Sequence, residues 1–397
     1  MRRYVWLVAV LLCLFVLTGC WDRKELSQYA LVSGVFIDKK NSEYQVSLQV
    51  INTKEVTNKG GSSAPVTVFT QKGKTISEAM QRIAKISPRQ LFLGHFRILV
   101  ISERLARDGV RKELDVFRRK VNVRSDFSII VLKDSFGQNP FTDLVPLEKL
   151  SASFLYDTQK NSEKQFASSR TVRVHDIVSV LAEKGKDAVL PAVEIKGKHS
   201  ATGKIDQYKS TVPPTLFEFS GLAVFHDDKL QGWLNENETI LFNIMTGKVK
   251  LSNLVVPCTA DNGFISYLID KSKSSLKSKM DNNNLQLGIS VKVDAYIEET
   301  SCMSKLSNPN QMKQLEKQLA ADLKQKMTNL INHIRMDFKS DLFGFGAKIH
   351  RSNPKQWQQI SGRWDQLYAT ADLDIEVKVL IKDTGSITDP DIVDVGD

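Results

Sequence analysis

The stretch VTVFTQKGKTISEAMQRIAKISPRQLFLGHFRILVI, residues 66–101, decides the fold class. Residues 66–70 are β-branched and aromatic enough for a short strand. Thr75 and Glu78 then form a capping box, in which the hydroxyl takes the amide three residues on and the carboxylate reaches back. Ile76, Met80 and Ile83 follow at helical spacing as a buried stripe, and Ser87 with Pro88 stops the helix. Residues 92–101 are apolar and β-branched, the pattern of a buried strand. Strand, helix and strand in succession predict a domain in which both element types are interleaved.

Working outward, Tyr44, Val46, Leu48 and Val50 alternate with polar residues and predict a strand, with residues 31–37 as its neighbour. Residues 52–65 carry no period and read as a loop. On the other side come a helix over 103–120, burying Leu105, Val110, Leu114 and Phe117, and a strand over 127–132. Residues 134–170, with Pro140, Pro146 and a polar run over 157–169, suggest no regular element. A helix over 174–183 ends at Gly185, a C-cap, before a strand over 189–195.

The composition shifts to Lys, Gly, Ser and Thr over 196–214 and closes on two prolines, which places a linker there. Beyond it lie a strand over 216–225, a helix over 236–245 and strand candidates over 249–257, 264–271 and 285–298. Met312, Leu315, Leu319, Leu323, Met327, Leu330, Ile334 and Phe338 then mark one side of a long helix, with Pro309 after Asn308 in its first turn. Core burial against the sheet is the expected use of that stripe, ahead of a partner-binding groove. A last strand covers 373–381.

The expected fold is thus α+β and multi-domain, with mixed sheets, packed helices and a C-terminal domain made of a meander-like sheet and one long amphipathic helix. The expected divisions are a signal peptide over 1–19, an N-terminal α+β domain over 20–195 that could split into two subdomains, the linker, a C-terminal α+β domain over 215–385 and a disordered tail over 386–397.

The first twenty residues read as a signal. Arg2 and Arg3 precede an apolar run over 4–17, and then come Leu17, Thr18, Gly19 and Cys20. Small residues admit a peptidase, and the cut exposes Cys20 as a thiol for lipid attachment. The alternative is an uncleaved anchor, but the run falls short of the roughly 17 to 25 residues a spanning helix needs. A diacylglyceryl thioether, with or without an N-acyl chain, supplies the two chains that stable attachment requires. Trp21, Asp22 and Arg23 would then sit at the bilayer surface, as a contact to headgroups or a partner, or as a plain spacer.

The formal charge of +10 becomes +8 when Arg2 and Arg3 leave with the signal. Basic residues are mixed with acids and lack stacking aromatics, so the charge suits an anionic membrane or a solvated surface rather than nucleic acid. Of four cysteines, Cys13 departs and Cys20 takes the lipid. Cys258 and Cys302 remain, and outside the cytosol such a pair is more often a disulfide than a metal pair.

Catalytic patterns are missing. Residues 197–204 and the Gly73, Lys74, Thr75 run both fail the phosphate-loop spacing. The six histidines, at 95, 175, 199, 226, 333 and 350, do not pair at helical metal spacing, and His95 and His350 read as structural. Glu236 with Glu238, and Glu298 with Glu299, read as solvated surface. No enzyme activity, cofactor or metal is expected.

These residues together resemble the C-subunit lipoproteins of spore germinant receptors, the Ger(x)C family. The resemblance begins with Gly19, Cys20, Trp21, Asp22, Arg23, Lys24, Glu25 and Leu26, and continues through 34–38 and 73–101, where Glu78 and Ala79 precede Leu91, Phe92, Leu93, Gly94 and His95. Leu105, Ala106 and Gly109 follow in step. Gly232, Trp233 and Leu234 with Glu236 and Glu238 carry it into the second half, as do Asp341, Phe343, Gly344, Phe345, Gly346, His350, Pro354, Trp357 and Trp364, and then Thr384 and Gly385. Phe36, where the family commonly has glycine, and residues 122–124 depart from the pattern.

The resemblance implies a non-catalytic lipoprotein on the outer face of the spore inner membrane. It would assemble with an A-type and a B-type integral-membrane subunit and be required for germination in response to nutrients. The alternative is a lipid-anchored solute-binding protein that captures a small nutrient.

Overall fold

The computed structural model of the chain describes residues 2–4, 6, 28–57, 63–119, 123–133, 138–145, 147–197, 211–213, 215–258, 262–281, 284–302, 306 and 308–382. Chain order begins β1 (Tyr29–Lys40), β2 (Glu43–Ile51), α1 (Thr53–Thr57), β3 (Val66–Gly73), α2 (Ile76–Ile86), β4 (Gln90–Phe92), β5 (Ile98–Ser102), α3 (Glu103–Asp108) and α4 (Arg111–Arg119). It continues with β6 (Ser128–Leu132), α5 (Ser151–Gln165), α6 (Val174–Ala182), β7 (Val189–Gly197), β8 (Thr215–His226), β9 (Lys229–Leu234) and α7 (Glu236–Met245). The last part holds β10 (Ser252–Pro257), β11 (Phe264–Asp281), β12 (Asn284–Thr300), α8 (Pro309–His333), a π-helical turn Ile334–Phe338, α9 (Phe345–Ser352), α10 (Pro354–Ile360), α11 (Trp364–Thr370) and β13 (Asp372–Ile381).

Nine strands form one mixed sheet in the order β3-β2-β1-β5-β6-β7-β8-β9, with β4 beside β1. Its centre, β1-β5-β6-β7, is parallel and its flanks are antiparallel. Parallel strands are covered on both faces, so they read as near-continuous apolar runs. Val35, Ile37, Leu99, Ile101, Ile129 and Val131 face one core, shared with α2, α3, α4 and α6. Their neighbours Phe36, Ile98, Val100, Ile130 and Leu132 face the other, shared with α5. Phe36 is fully buried there, so its bulk, a departure from the family pattern, is absorbed by the α5 layer.

The second sheet has the order β10-β11-β12-β13. Its first three strands form an antiparallel meander, and β13 returns parallel to β12 after the long helix. Leu315, Leu319, Leu323, Met327 and Leu330 on α8 are buried in one core with Ile289, Val291 and Val293 of β12. The long helical stripe is core, and the architecture is α+β with mixed sheets and packed helices.

Several elements differ from the sequence expectation. Helix α5 occupies residues read as irregular, because its inward stripe of Ala152, Leu155 and Gln159 contains a glutamine. That glutamine accepts from Ser128 Oγ at 2.7 Å and donates to the Arg170 carbonyl at 3.1 Å, so a polar residue sits buried and satisfied where the pattern demands an apolar one. The strand expected over 92–101 is two strands, β4 and β5. The helix over 103–120 breaks at Gly109, where φ is +126° and the Val110 amide bonds the Asp228 carbonyl at 3.0 Å.

Strand β9 had no counterpart in the expectation, and β8 and β9, which follow residues 196–214 in sequence, complete the first sheet. Strand β11 runs on to Asp281, since Ser272 and the partly buried Leu276 and Met280 alternate with exposed lysines along the full length of β12.

Candidate functional site

The residues singled out for lipid attachment and cleavage, Leu17, Thr18, Gly19 and Cys20, lie outside the described residues, as do Trp21, Asp22, Arg23 and the tail over 386–397. Cys258 and Cys302 are joined by a disulfide across 44 positions, with Cα atoms 6.0 Å apart. It ties the chain after β10 to the chain after β12, and Cys302 is buried.

The C-terminal signature residues converge on a joint between the two halves of the chain. Lys339 adopts a left-handed conformation with φ of 53°, which ends the helical run and turns Ser340 and Asp341 into the interior. The Asp341 carboxylate accepts from the Gly344 and Phe345 amides through Oδ1, at 2.8 and 3.1 Å, and from Gly346 through Oδ2 at 2.8 Å. It therefore satisfies the open amides at the start of α9. Gly344 has φ of +79°, a conformation L side chains rarely adopt, and a Cβ on Gly346 would sit 2.9 Å from both Trp357 and Trp364.

The partner surface is the loop before β7. Asp187 Oδ2 accepts from the Asp341 amide at 2.8 Å, and the Asp187 amide donates to the Asp341 carbonyl at 3.0 Å. The Gly185 carbonyl accepts from the Ala347 amide at 2.8 Å. Gly185, expected only as a helix C-cap, is also where backbone meets backbone, since its Cβ would stand 2.6 Å from the Gly346 carbonyl carbon.

His226 closes this joint. Its Nδ1 lies 3.3 Å from Asp187 Oδ2 and its Nε2 3.6 Å from Asp365 Oδ2. The hydrogen bond to Asp187 raises its pKa to about 9 against the opposing effect of burial, so the ring is an imidazolium at neutral pH. Burial pushes the Asp341 carboxyl up to about 7 although three amide bonds pull it down. Trp357 packs between His350, at 5.9 Å, and Trp364, at 5.3 Å, along a cleft of about 520 Å³. Both His226 nitrogens face carboxylates, so the ring bridges Asp187 and Asp365. The arrangement clamps two segments together.

Other signature positions are also structural. Asp38 accepts from Ser102 Oγ at 2.6 Å and pairs with Arg104, and Ser102 in turn caps α3. Glu238, read as solvated surface, instead caps α7 and holds His333 Nδ1 at 2.7 Å, at the end of α8. Gly232 lies against the Phe338 ring, where a Cβ would stand 2.3 Å from a ring carbon. His95, read as a structural residue, is by contrast exposed in the turn after β4, with its ring 5.4 Å from that of Phe92. Asp187 was missed by sequence reasoning, since a lone Asp before a strand carries no pattern, and His226 appeared only as one scattered histidine.

Among the described residues, no group of three or more His, Cys, Asp or Glu side chains is placed to hold a metal ion. No helix among them is long and apolar enough to cross a membrane.

Two family models match the chain. One, described as the N-terminal domain of spore germination proteins, covers residues 22–195, and the other, described as spore germination B3/GerAC like, C-terminal, covers 220–385. Spore germination protein KC of Bacillus subtilis (strain 168) is 27% identical over 400 residues, spanning 98% of each chain. Spore germination protein B3 of the same organism is 22% identical over 386 residues, spanning 94% of this chain and 96% of its own. The crystal structure of the GerBC protein matches with a TM-score of 0.50 at 18% identity, over 91% of this chain and 99% of that one, and has the same fold.

Proposed function

The chain belongs to the Ger(x)C family of spore germination proteins, and from that membership we propose that it is a non-catalytic, lipid-anchored subunit of a nutrient germinant receptor in the spore inner membrane. The observation that carries this reading is that two family models match residues 22–195 and 220–385, the first beginning two residues after Cys20. Cleavage before Cys20 would leave the matched body attached to lipid through its first residue.

A diacylglyceryl group on Cys20 holds the protein at the bilayer, and each buried methylene adds about 0.8 kcal/mol to that attachment. Tethering raises the effective concentration of the body beside membrane-embedded partners, an A-type and a B-type subunit, so weak contacts suffice for assembly. Clamping acids, an imidazolium held by two carboxylates and closely packed tryptophans join the two halves of the chain, as suits a scaffolding subunit. Deleting the gene tests the reading. Dormant spores should form normally and lose germination to particular nutrients, and unimpaired nutrient germination in a strain without a paralogue would overturn it.

A further inference from the structure

We infer that a cleft of about 480 Å³, walled by α6 on one side and by Phe242 and Leu342 on the other, binds a small organic carboxylate through Arg170. This site is separate from lipid attachment, shares Asp187 on its lining with the Asp187–Asp341 contact, and does not depend on receptor membership.

Arg170 lies over the Phe242 ring, 5.0 Å from its centroid, and its Nη2 donates to Thr246 Oγ1 at 2.6 Å. Those two contacts fix the guanidinium plane at the cleft wall. Among the described residues no carboxylate lies within ion-pair distance of it, and Glu163 acts on it only through a longer-range field. Lys186 and Lys248, also on the lining, have no ion-pair partner among the described residues either.

The acids of the same cleft are engaged elsewhere. Glu163 accepts from the Thr171 amide at 3.1 Å, Asp176 from the Arg173 amide at 3.0 Å, Glu183 pairs with Arg351, and Asp187 holds His226 and Asp341. Glu163 and Asp176 keep their charge while bonded to amides, so what the cleft lacks among the described residues is a carboxylate paired directly with the Arg170 guanidinium.

Burying a cation without a directly paired counter-charge is unfavourable, and an anionic ligand relieves that cost. A guanidinium presents parallel N–H donors that match a carboxylate in a two-point contact. Thr171 Oγ1, on the same lining, has no hydrogen-bond partner and offers a further polar group. The rest of the wall includes Val172, Ile177, Val180 and Leu342, which suit a short aliphatic body behind the charged group. The volume lies in the small-molecule range of roughly 300 to 1,000 Å³.

The test titrates the full-length protein in detergent with isovalerate, its neutral isostere isovaleramide, and inorganic phosphate, by calorimetry. Isovalerate should bind saturably, and isovaleramide and phosphate at least about tenfold more weakly. Arg170→Ala should lose about tenfold in isovalerate affinity, and Arg170→Lys should lose less. Val180→Trp, which sets a large ring on the α6 wall of the cleft and leaves Arg170 in place, should abolish binding and serves if Arg170→Ala does not fold. Absence of saturable isovalerate binding, equal affinity for isovaleramide, tighter binding of phosphate, or undiminished binding in Val180→Trp would each overturn the inference.

Discussion

Asp187 and Asp341, 154 positions apart, bind each other reciprocally: the Asp341 amide donates to the Asp187 carboxylate at 2.8 Å and the Asp187 amide to the Asp341 carbonyl at 3.0 Å. The two acids can meet this way because each carboxyl is occupied by amides rather than by the other, and because burial raises the Asp341 carboxyl to about 7. Asp341 additionally accepts from three amides at the start of α9. Asp341→Ala should therefore cost about 3 kcal/mol or more, since it strands several buried donors. Asp341→Asn, which keeps one acceptor oxygen, should cost less. Urea unfolding of the two variants against wild type checks the order.

His226 gives the joint a pH dependence. Its folded pKa of about 9 stands above the ordinary value of 6.5, so its contribution is complete below about pH 6.5 and is lost as pH rises through 9. Wild type should lose Tm over that window more steeply than His226→Gln. Scanning calorimetry at stepped pH decides it, and parallel profiles would contradict the assignment.

The Cys258–Cys302 disulfide closes a loop with a separation of 44. The loop-entropy relation gives about 4 kcal/mol for a closure of this length. Cys302→Ser should lower stability by about that amount in chemical denaturation, and reducing agent should destabilise wild type while leaving the variant unchanged.

Gly221 in β8 has φ of +119°, and a Cβ there would stand 1.9 Å from the Leu234 carbonyl oxygen of β9. Backbone cannot yield as a side chain does. Gly221→Ala should displace the β8–β9 pairing and cost about 3 kcal/mol, above the effect of most single substitutions. Hydrogen exchange should quicken at Leu222 and Leu234, which face each other in register.

Elements built on periodic apolar residues were legible before the structure, and those built on satisfied polar groups were not. Thr75 caps α2 as read, with the Glu78 amide 3.0 Å from Thr75 Oγ1, but the Glu78 carboxylate reaches back to the Lys74 amide at 2.7 Å rather than to that of Thr75, so the box is closed one residue early. The α8 stripe is core along its length. Helix α5 was invisible because Gln159 replaces an apolar residue in its stripe, and β11 seemed shorter because serines line its inner face. The joint around Asp341 was visible only as a set of family positions. Its partner Asp187 emerges from the meeting of two distant loops, which local sequence does not encode.

The central claim is that Cys20 carries the lipid that holds this body at a membrane. Metabolic labelling with palmitate, comparing wild type with Cys20→Ala, tests it most directly. The account predicts label on the wild-type protein and none on the variant. A wild type without label, or a variant labelled equally, would contradict it.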